Sequence, residues 1–480
     1  MYVFLFLFLI TLTASAQPAI EWTQTFGGDQ MDYGWSVVET NDGGYAIAGY
    51  TGAYIGDDAI LIKTDSHGDK VWRQTYGGGD YEEVYCLQQT DDDGFIMAGR
   101  TLSFGQNFDQ FYVVKTDADG VVEWERSYGG GAWDWANYII QTPDGGYAVI
   151  GVTDSFGPWQ GVPNIWLLRL DSGGEVIWDR TYGGAGWDEA YCIEMTGDGG
   201  FIIAGSTDSY GQGHDDVYLI KTDSCGEAEW ERTFAEYDYD QGYKVRQTVD
   251  GGYVIAGQTQ ILGSGNGEVY LIKTDPGGNE IWSRTYGGDD FEEGFSLDIT
   301  EDGGYLIGGV TLSSGSGRQD MLVLKTDSAG NVQWSGAYGY DLDDRCRSAI
   351  QTSDGGFILT GITGQFYGTG GDVWLVKLAS LSSGAVSQQI DTPQSFELLQ
   401  PAPNPFNPLT RIGFRLDKQD NIDLSVYNTA GRRISALAAG DYQPGIYFVD
   451  FDGQGLSSGT YFITLRSTSA TQTKKVVLLK

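Results

Sequence analysis

A tryptophan that returns seven times, an aromatic that follows each copy by 23 residues, and short β-branched segments divided by Gly and Asp turns predict an all-β chain. The architecture they point to is a seven-bladed β-propeller of four-stranded blades, closed by its N-terminal strand and followed by a small β-sandwich. The tryptophans are Trp22, Trp72, Trp124, Trp178, Trp230, Trp282 and Trp334, spaced by 50 to 54 residues. Their aromatic partners are Tyr45, Phe95, Tyr147, Phe201, Tyr253, Tyr305 and Phe357.

One unit shows how each blade is built. Tyr191 to Thr196 reads as strand A, Phe201 to Ser206 as B, Val217 to Asp223 as C and Glu229 to Phe234 as D. The A–B turn carries Asp-Gly-Gly in six copies and Asp92-Asp93-Gly94 in the other. Glycine supplies the positive φ that such a turn needs. The C–D turn reads Asp-x-x-Gly, as at Asp65 and Gly68 or Asp117 and Gly120. Strand B carries a glycine four residues after its aromatic in every copy, from Gly49 and Gly99 to Gly309 and Gly361, which lets neighbouring backbone approach closely and suits crowded blade packing. The seventh copy stops at Lys377 without a D strand, whereas the chain begins with an orphan one, Ile20 to Phe26. Joining the two closes the ring and removes exposed edges.

The ends of the chain differ from this repeat. Met1 to Leu12 is almost wholly apolar and leads to Ala14-Ser15-Ala16, the pattern of a signal peptide over 1–16, with the mature chain expected from Gln17. No other segment is long and apolar enough for a transmembrane helix. The propeller is expected over 17–379, a Ser- and Gln-rich linker over 380–396, and the sandwich over 397–480, where Ile422 to Tyr427, Gly445 to Asp450 and Tyr461 to Leu465 alternate apolar and polar residues. The net charge of −38 falls almost entirely on the repeat region, because residues 391–480 hold 9 Lys and Arg against 8 Asp and Glu. Such a surface repels phosphate backbones, which excludes nucleic acid as a partner and favours cations. Of the four cysteines, Cys86 and Cys192 hold the same repeat position two units apart, and no disulfide is expected.

Candidate functional residues gather where the D–A and B–C loops meet. Asp32, Glu82, Asp134, Asp188, Asp240, Glu292 and Asp344 each precede their aromatic by 13 residues and would ring the channel mouth. Such carboxylates could hold Ca²⁺, the only cofactor the pattern suggests, or could cap loop N–H groups within their own blades. Asp58, Asp216, Glu268, Asp320 and Asp372, just before strand C, have the same two readings. Tyr81, Trp133, Trp135, Trp187, Tyr237, Tyr239 and Phe291 are placed in D–A loops and Trp159 in a B–C loop. Exposed rings beside carboxylates suit sugar stacking and hydroxyl hydrogen bonds. The histidines, His67 and His214, stand alone, which argues against a zinc or copper site. Two places break the repeat, Asp343-Asp344-Arg345-Cys346-Arg347 in the seventh copy and Ala235-Glu236 in the fifth, and a site is sought there.

The repeat resembles kelch propellers through Phe201-Ile202-Ile203-Ala204-Gly205 and the later Tyr and Trp segment Val217 to Trp230, although Gly308-Gly309 alone keeps the kelch glycine pair. Its Thr-Asp-x-x-Gly-x-x-x-Trp turn is similar to the sialidase Asp-box with different spacing. Neither resemblance transfers catalytic residues.

The last 85 or so residues resemble the Ig-like C-terminal sorting domain of the type IX secretion system. The matching motifs are Pro403-Asn404-Pro405-Phe406-Asn407-Pro408, Val426-Tyr427-Asn428 with Gly431, Ser457-Ser458-Gly459-Thr460-Tyr461-Phe462, and Lys474-Lys475 through Lys480. That resemblance implies Sec export, the type IX machinery as a partner, and a secreted or outer-membrane cell-surface location. The flagellar hook-capping Ig-like domain is a related alternative that would leave a plain structural module. For the repeat region the first expectation is a binding or adhesion protein with a glycan or protein ligand. A secreted carbohydrate-active hydrolase or lyase using carboxylates such as Glu82 and Glu83 or Glu292 and Glu293 is the second, and a surface scaffold without a small ligand the third.

Overall fold

The computed structural model describes residues 17–480 except 29, 53–55, 106–107, 158–160, 212–213, 262–265, 365–369, 382–395, 399–405, 407, 417–419, 430–431, 443–444, 468–470 and 479–480. The expected signal peptide, most of the expected linker, Trp159, and Pro403, Asn404, Pro405 and Asn407 lie outside the described residues. The chain divides into two compact units, Met1–Ser382 and Ser383–Lys480.

The first unit is seven four-stranded antiparallel sheets. Six follow chain order, their A strands being Met31–Glu39, Glu82–Gln89, Asp134–Gln141, Asp188–Met195, Tyr239–Gln247 and Glu292–Ile299. The seventh joins Asp343–Gln351, Phe357–Gly364 and Gly371–Leu378 to the N-terminal strand Ile20–Phe26, which pairs antiparallel along Gly371–Leu378 and so stands in for the missing D strand. Strand A begins about three residues earlier than its hydrophobic pattern suggests, since Asp188 already pairs with Thr207.

The 23-residue interval between Trp and aromatic turns out to be the distance from one sheet to the next. Each D-strand Trp packs on the B-strand aromatic of the following sheet, with centroids 5.5 to 6.4 Å apart in all seven copies, from Trp72–Phe95 to Trp334–Phe357, and Trp22–Tyr45 makes the same contact between the seventh sheet and the first. A polar contact repeats as well. The Asn41 and Asp91 N–H groups donate to Gln89 and Gln141 of the next sheet, and Ser353 donates to Glu39 in the same way from seventh to first. Phe26, Val37, Ile47, Ile358 and Val373 form one apolar cluster across those two sheets.

Each sheet is also pinned internally by a buried cation. Lys63, Lys115, Arg169, Lys221, Lys273, Lys325 and Lys377 on the C strands reach the Asp of the A–B turn at 2.5 to 3.1 Å. At Asp93, where one turn lacks its first glycine, φ is +64°, a conformation that Asp tolerates.

The strand-B glycines let neighbouring backbone approach closely, and the backbone that approaches is strand A of the same sheet. A Cβ on Gly49, Gly99, Gly151, Gly205, Gly257, Gly309 or Gly361 would stand 1.7 to 2.1 Å from a carbonyl oxygen of strand A in the same sheet. Opposite each glycine strand A carries a β-bulge, and the extra residue is Trp35, Tyr85, Asn137, Tyr191, Tyr243, Phe295 or Arg347.

The second unit is a sandwich. One sheet holds Phe396–Leu398, Leu409–Leu416 and Gly445–Asp452; the other holds Arg433–Tyr442, Asp420–Asn428, Gly459–Arg466 and Thr471–Leu478. A single core that includes Ile412, Phe414, Leu424, Val426, Ile463 and Val476 joins them. Phe406 is buried there against Phe451, and its N–H donates to Val477 O at 2.9 Å. The Tyr461 ring is buried in the same core and its hydroxyl donates to Ser457 O at 2.8 Å. Lys475 is exposed and Lys474 partly so. Two of the motif residues are therefore structural, and of the two lysines Lys475 is the exposed one. All four cysteines are free, with Cys225 exposed and the others buried.

Two outcomes are expected. Gly205→Ala brings a methyl group against the Glu189 carbonyl, 1.8 Å away, and lowers stability in urea unfolding by about 2 kcal/mol. The second concerns pH. Burial alone would raise the Asp302 carboxyl, but the Thr300 hydroxyl, Lys325 and the Gly304 N–H hold it at about 2, against an ordinary 3.8. Because the folded value is depressed, its stabilisation is full above the unfolded value and is lost as the pH falls through the folded one. Asp302→Asn is therefore less stable than wild type at neutral pH, and the gap closes as unfolding is repeated from about pH 4 down to about pH 2.

Candidate functional site

The bulges decide what the middle of the first unit looks like. All seven bulge residues line one cavity of about 1020 Å³, to which every A strand contributes. Of the residues two before each bulge, Glu83, Trp135, Glu293 and Arg345 also line the cavity.

These side chains form a hydrogen-bonded band. The Trp187 indole N–H and the Tyr191 hydroxyl donate to the two oxygens of Glu189, each at 2.5 Å. Gln241 Nε2 donates to Tyr191 at 3.2 Å, and the Tyr243 hydroxyl stands 2.6 Å from Gln241 Oε1 and 2.7 Å from Glu293 Oε1. A phenol has one proton to give, so both oxygens are served only when Glu293 is protonated and donates in return. Burial favours that state by pushing the Glu293 carboxyl above its ordinary range, against the Tyr243 hydrogen bond and the charges of Arg347 and Arg345. Further round, Arg347 donates Nε–H to Tyr33 at 2.7 Å and lies over Phe295 and Trp35, 4.0 and 4.4 Å from their centroids. Arg100 joins Glu83 at 3.0 Å and Asp109 at 3.2 Å. Lys244 bonds the Tyr138 hydroxyl, and burial lowers its ammonium from the ordinary value.

The carboxylate series expected at the channel mouth has the geometry of loop caps, and none of the seven lines the cavity. Asp32, Glu82, Asp134, Asp188, Asp240, Glu292 and Asp344 are buried. Six of them accept from the N–H four residues earlier, from Gly78 to Glu82 at 2.8 Å through Tyr340 to Asp344 at 2.6 Å, and Asp32 instead pairs with Arg73 at 2.8 Å. Side chains of the sheet's own B strand add to this, as Thr101 does for Glu82 at 2.5 Å. Backbone N–H groups of the same residues reach the preceding sheet, Glu82 to Asp57 O at 2.7 Å and Asp344 to Gln319 O at 2.9 Å. Among the described residues no three Asp, Glu, His or Cys side chains converge as a metal centre.

The expected aromatics divide in two. Trp133, Trp187 and Tyr237 are 40 to 50% exposed in the loops before strand A. Trp135 and Tyr239, expected in those loops, belong to the A strands themselves, because the strands begin earlier than their pattern suggests. Trp135 lines the cavity, and Tyr239 accepts from Gln241 at 2.9 Å. The broken repeat in the seventh copy proves to be channel lining, through Arg345 and Arg347. Lys244, Arg246 and most of the bulge ring escaped the sequence reading. The bulge positions shared one signal, a repeat position three residues after the acid that changes from copy to copy.

Comparison with known proteins agrees with the second unit and says little of the first. Residues 402–479 match the family of the secretion system C-terminal sorting domain. Comparison with curated proteins gives no match. Among solved structures the chain is similar to Sqt1 from Chaetomium thermophilum, at 12% identity and TM-score 0.42 over 70% of this chain and 83% of that one. It is similar also to a fungal alcohol oxidase of the AA5 family in complex with copper, at 11% identity and TM-score 0.47 over 96% and 100% of the two chains. At these values neither likeness carries an argument about activity. No helix among the described residues is long and apolar enough to cross a membrane. With its fold and its motifs in agreement, the segment 402–479 is a type IX secretion C-terminal sorting domain, and the chain that carries it is a secreted or outer-membrane cell-surface protein.

Proposed function

We propose that the seven sheets close into a ring and that the ring is a non-catalytic binding module, holding a glycan in its channel and presented outside the cell by the sorting domain. One observation carries the reading. Positions that build the scaffold repeat in all seven copies, whereas the bulge ring runs Trp, Tyr, Asn, Tyr, Tyr, Phe, Arg and lines a cavity wide enough for a sugar chain. Variation confined to a rigid channel is what selective binding requires, and a purely structural ring has no use for it. The exposed Trp187 is hydrogen-bonded through Glu189 to Tyr191, so an exposed ring is tied to one that lines the cavity.

Retention on a panel of immobilised polysaccharides, with calcium and again with a chelator, tests the proposal. Capture of one sugar class is expected, with affinity about tenfold weaker in Trp187→Ala, the loss of one stacked ring. Dependence on calcium would assign the carboxylate series a metal; independence would leave its members as caps. Failure to retain any sugar in either condition overturns the reading. In the producing cell, removal of residues 402–479 should keep the chain from reaching the surface, read by protease accessibility of intact cells.

A further inference from the structure

The channel differs in charge from the rest of the molecule. The chain holds 28 Lys and Arg against 66 Asp and Glu, yet five of each sign line the cavity. Arg100 is occupied by Glu83 and Asp109. The other four cations, Lys244, Arg246, Arg345 and Arg347, come from the fifth and seventh sheets and face Glu293 and Asp298 of the sixth, so this arc of the wall is positive.

Several donors on that arc lack an acceptor. Arg246 Nε and Trp35 Nε1 are buried without a hydrogen-bond partner. The Arg246 guanidinium stands 3.7 Å from Glu194 and 3.9 Å from Asp298, too far for hydrogen bonds. Arg347 uses Nε on Tyr33, and its terminal nitrogens donate to no side chain among the described residues. Lys244 lies 3.6 Å from the Tyr138 ring centroid with no carboxylate in ion-pair reach among the described residues. An unsatisfied buried donor costs about 1–3 kcal/mol, and donors to charged partners return more than neutral ones. Resting on the reading of the channel as a glycan site, we infer that the arc between the fifth and seventh sheets binds an anionic substituent, carboxylate or sulfate ester, on an otherwise neutral sugar chain. Arg347 and Arg246 are its hydrogen-bond donors, Lys244 its counter-charge and the Trp35 N–H an added donor. Isolated charges fit better than a polyanion, because the acidic exterior repels a densely charged polymer.

The test compares three oligosaccharides of equal length, ending in galacturonate, in galactose 6-sulfate and in plain galactose, by calorimetric titration of the exported chain. One or both acidic probes should bind roughly tenfold or more tightly than the neutral one, and Arg347→Gln and Lys244→Met should each weaken the acidic probes more than the neutral one, so that the preference is lost. Whichever acidic probe is preferred names the substituent. Equal affinity for all three, or a preference that survives both substitutions, overturns the inference while leaving glycan binding in place; binding of none overturns both. Should the variants fail to fold, the wild-type melting temperature decides: galacturonate or galactose 6-sulfate must raise it more than galactose does, and equal shifts overturn the inference.

Discussion

Each sheet of the first unit depends on the close approach of a strand-A carbonyl to a strand-B glycine. Any side chain there would collide with that oxygen, and without the approach the extra residue of strand A could not be accommodated in the ladder. The bulge lifts that residue out of the ladder, and all seven such residues line the one cavity. A feature of the backbone thus controls the chemistry of the cavity, and any residue type can occupy the bulge because the ladder does not use its side chain.

Around this motif the molecule repeats its contacts with little change. Trp on aromatic joins neighbouring sheets at the rim, an amide or carboxylate side chain on a turn N–H joins them at one face, and backbone bonds from the acids at the start of strand A join them at the other. The N-terminal strand Ile20–Phe26 makes the rim contact in its turn through Trp22. Much of the acidity that dominates the composition is bound up in this framework. Turn aspartates hold buried lysines, and the carboxylates at the start of strand A hold loop N–H groups.

The second unit separates fold from address in a similar manner. Phe406 and Tyr461 belong to motifs that mark the sorting domain, and both are core residues of the sandwich. Lys474 and Lys475 lie on its last strand, with Lys475 exposed and Lys474 half-buried.

Strand number, strand order, the N-terminal strand as a substitute for the last D strand, and the sandwich were readable from the chain because each follows from local rules that repeat: a two-residue side-chain period, glycine where φ is positive, one tryptophan per sheet. The sorting domain was readable because its motifs are contiguous. The partner that each glycine approaches, the true start of strand A, and the cavity wall were not, while for the acids the chain offered loop capping beside metal binding without deciding between them. Glycine at Gly205 signals closeness to something without naming the Glu189 carbonyl, and the register that skips Tyr191 exists only once two strands are paired. Sequence alone determined the scaffold, since every copy obeys the same local pattern. Tertiary structure alone decided that Lys244, Arg246, Arg347 and Trp35, from three sheets far apart in the chain, share one cavity, because the direction of a bulge side chain is set by pairing and not by the residue that carries it.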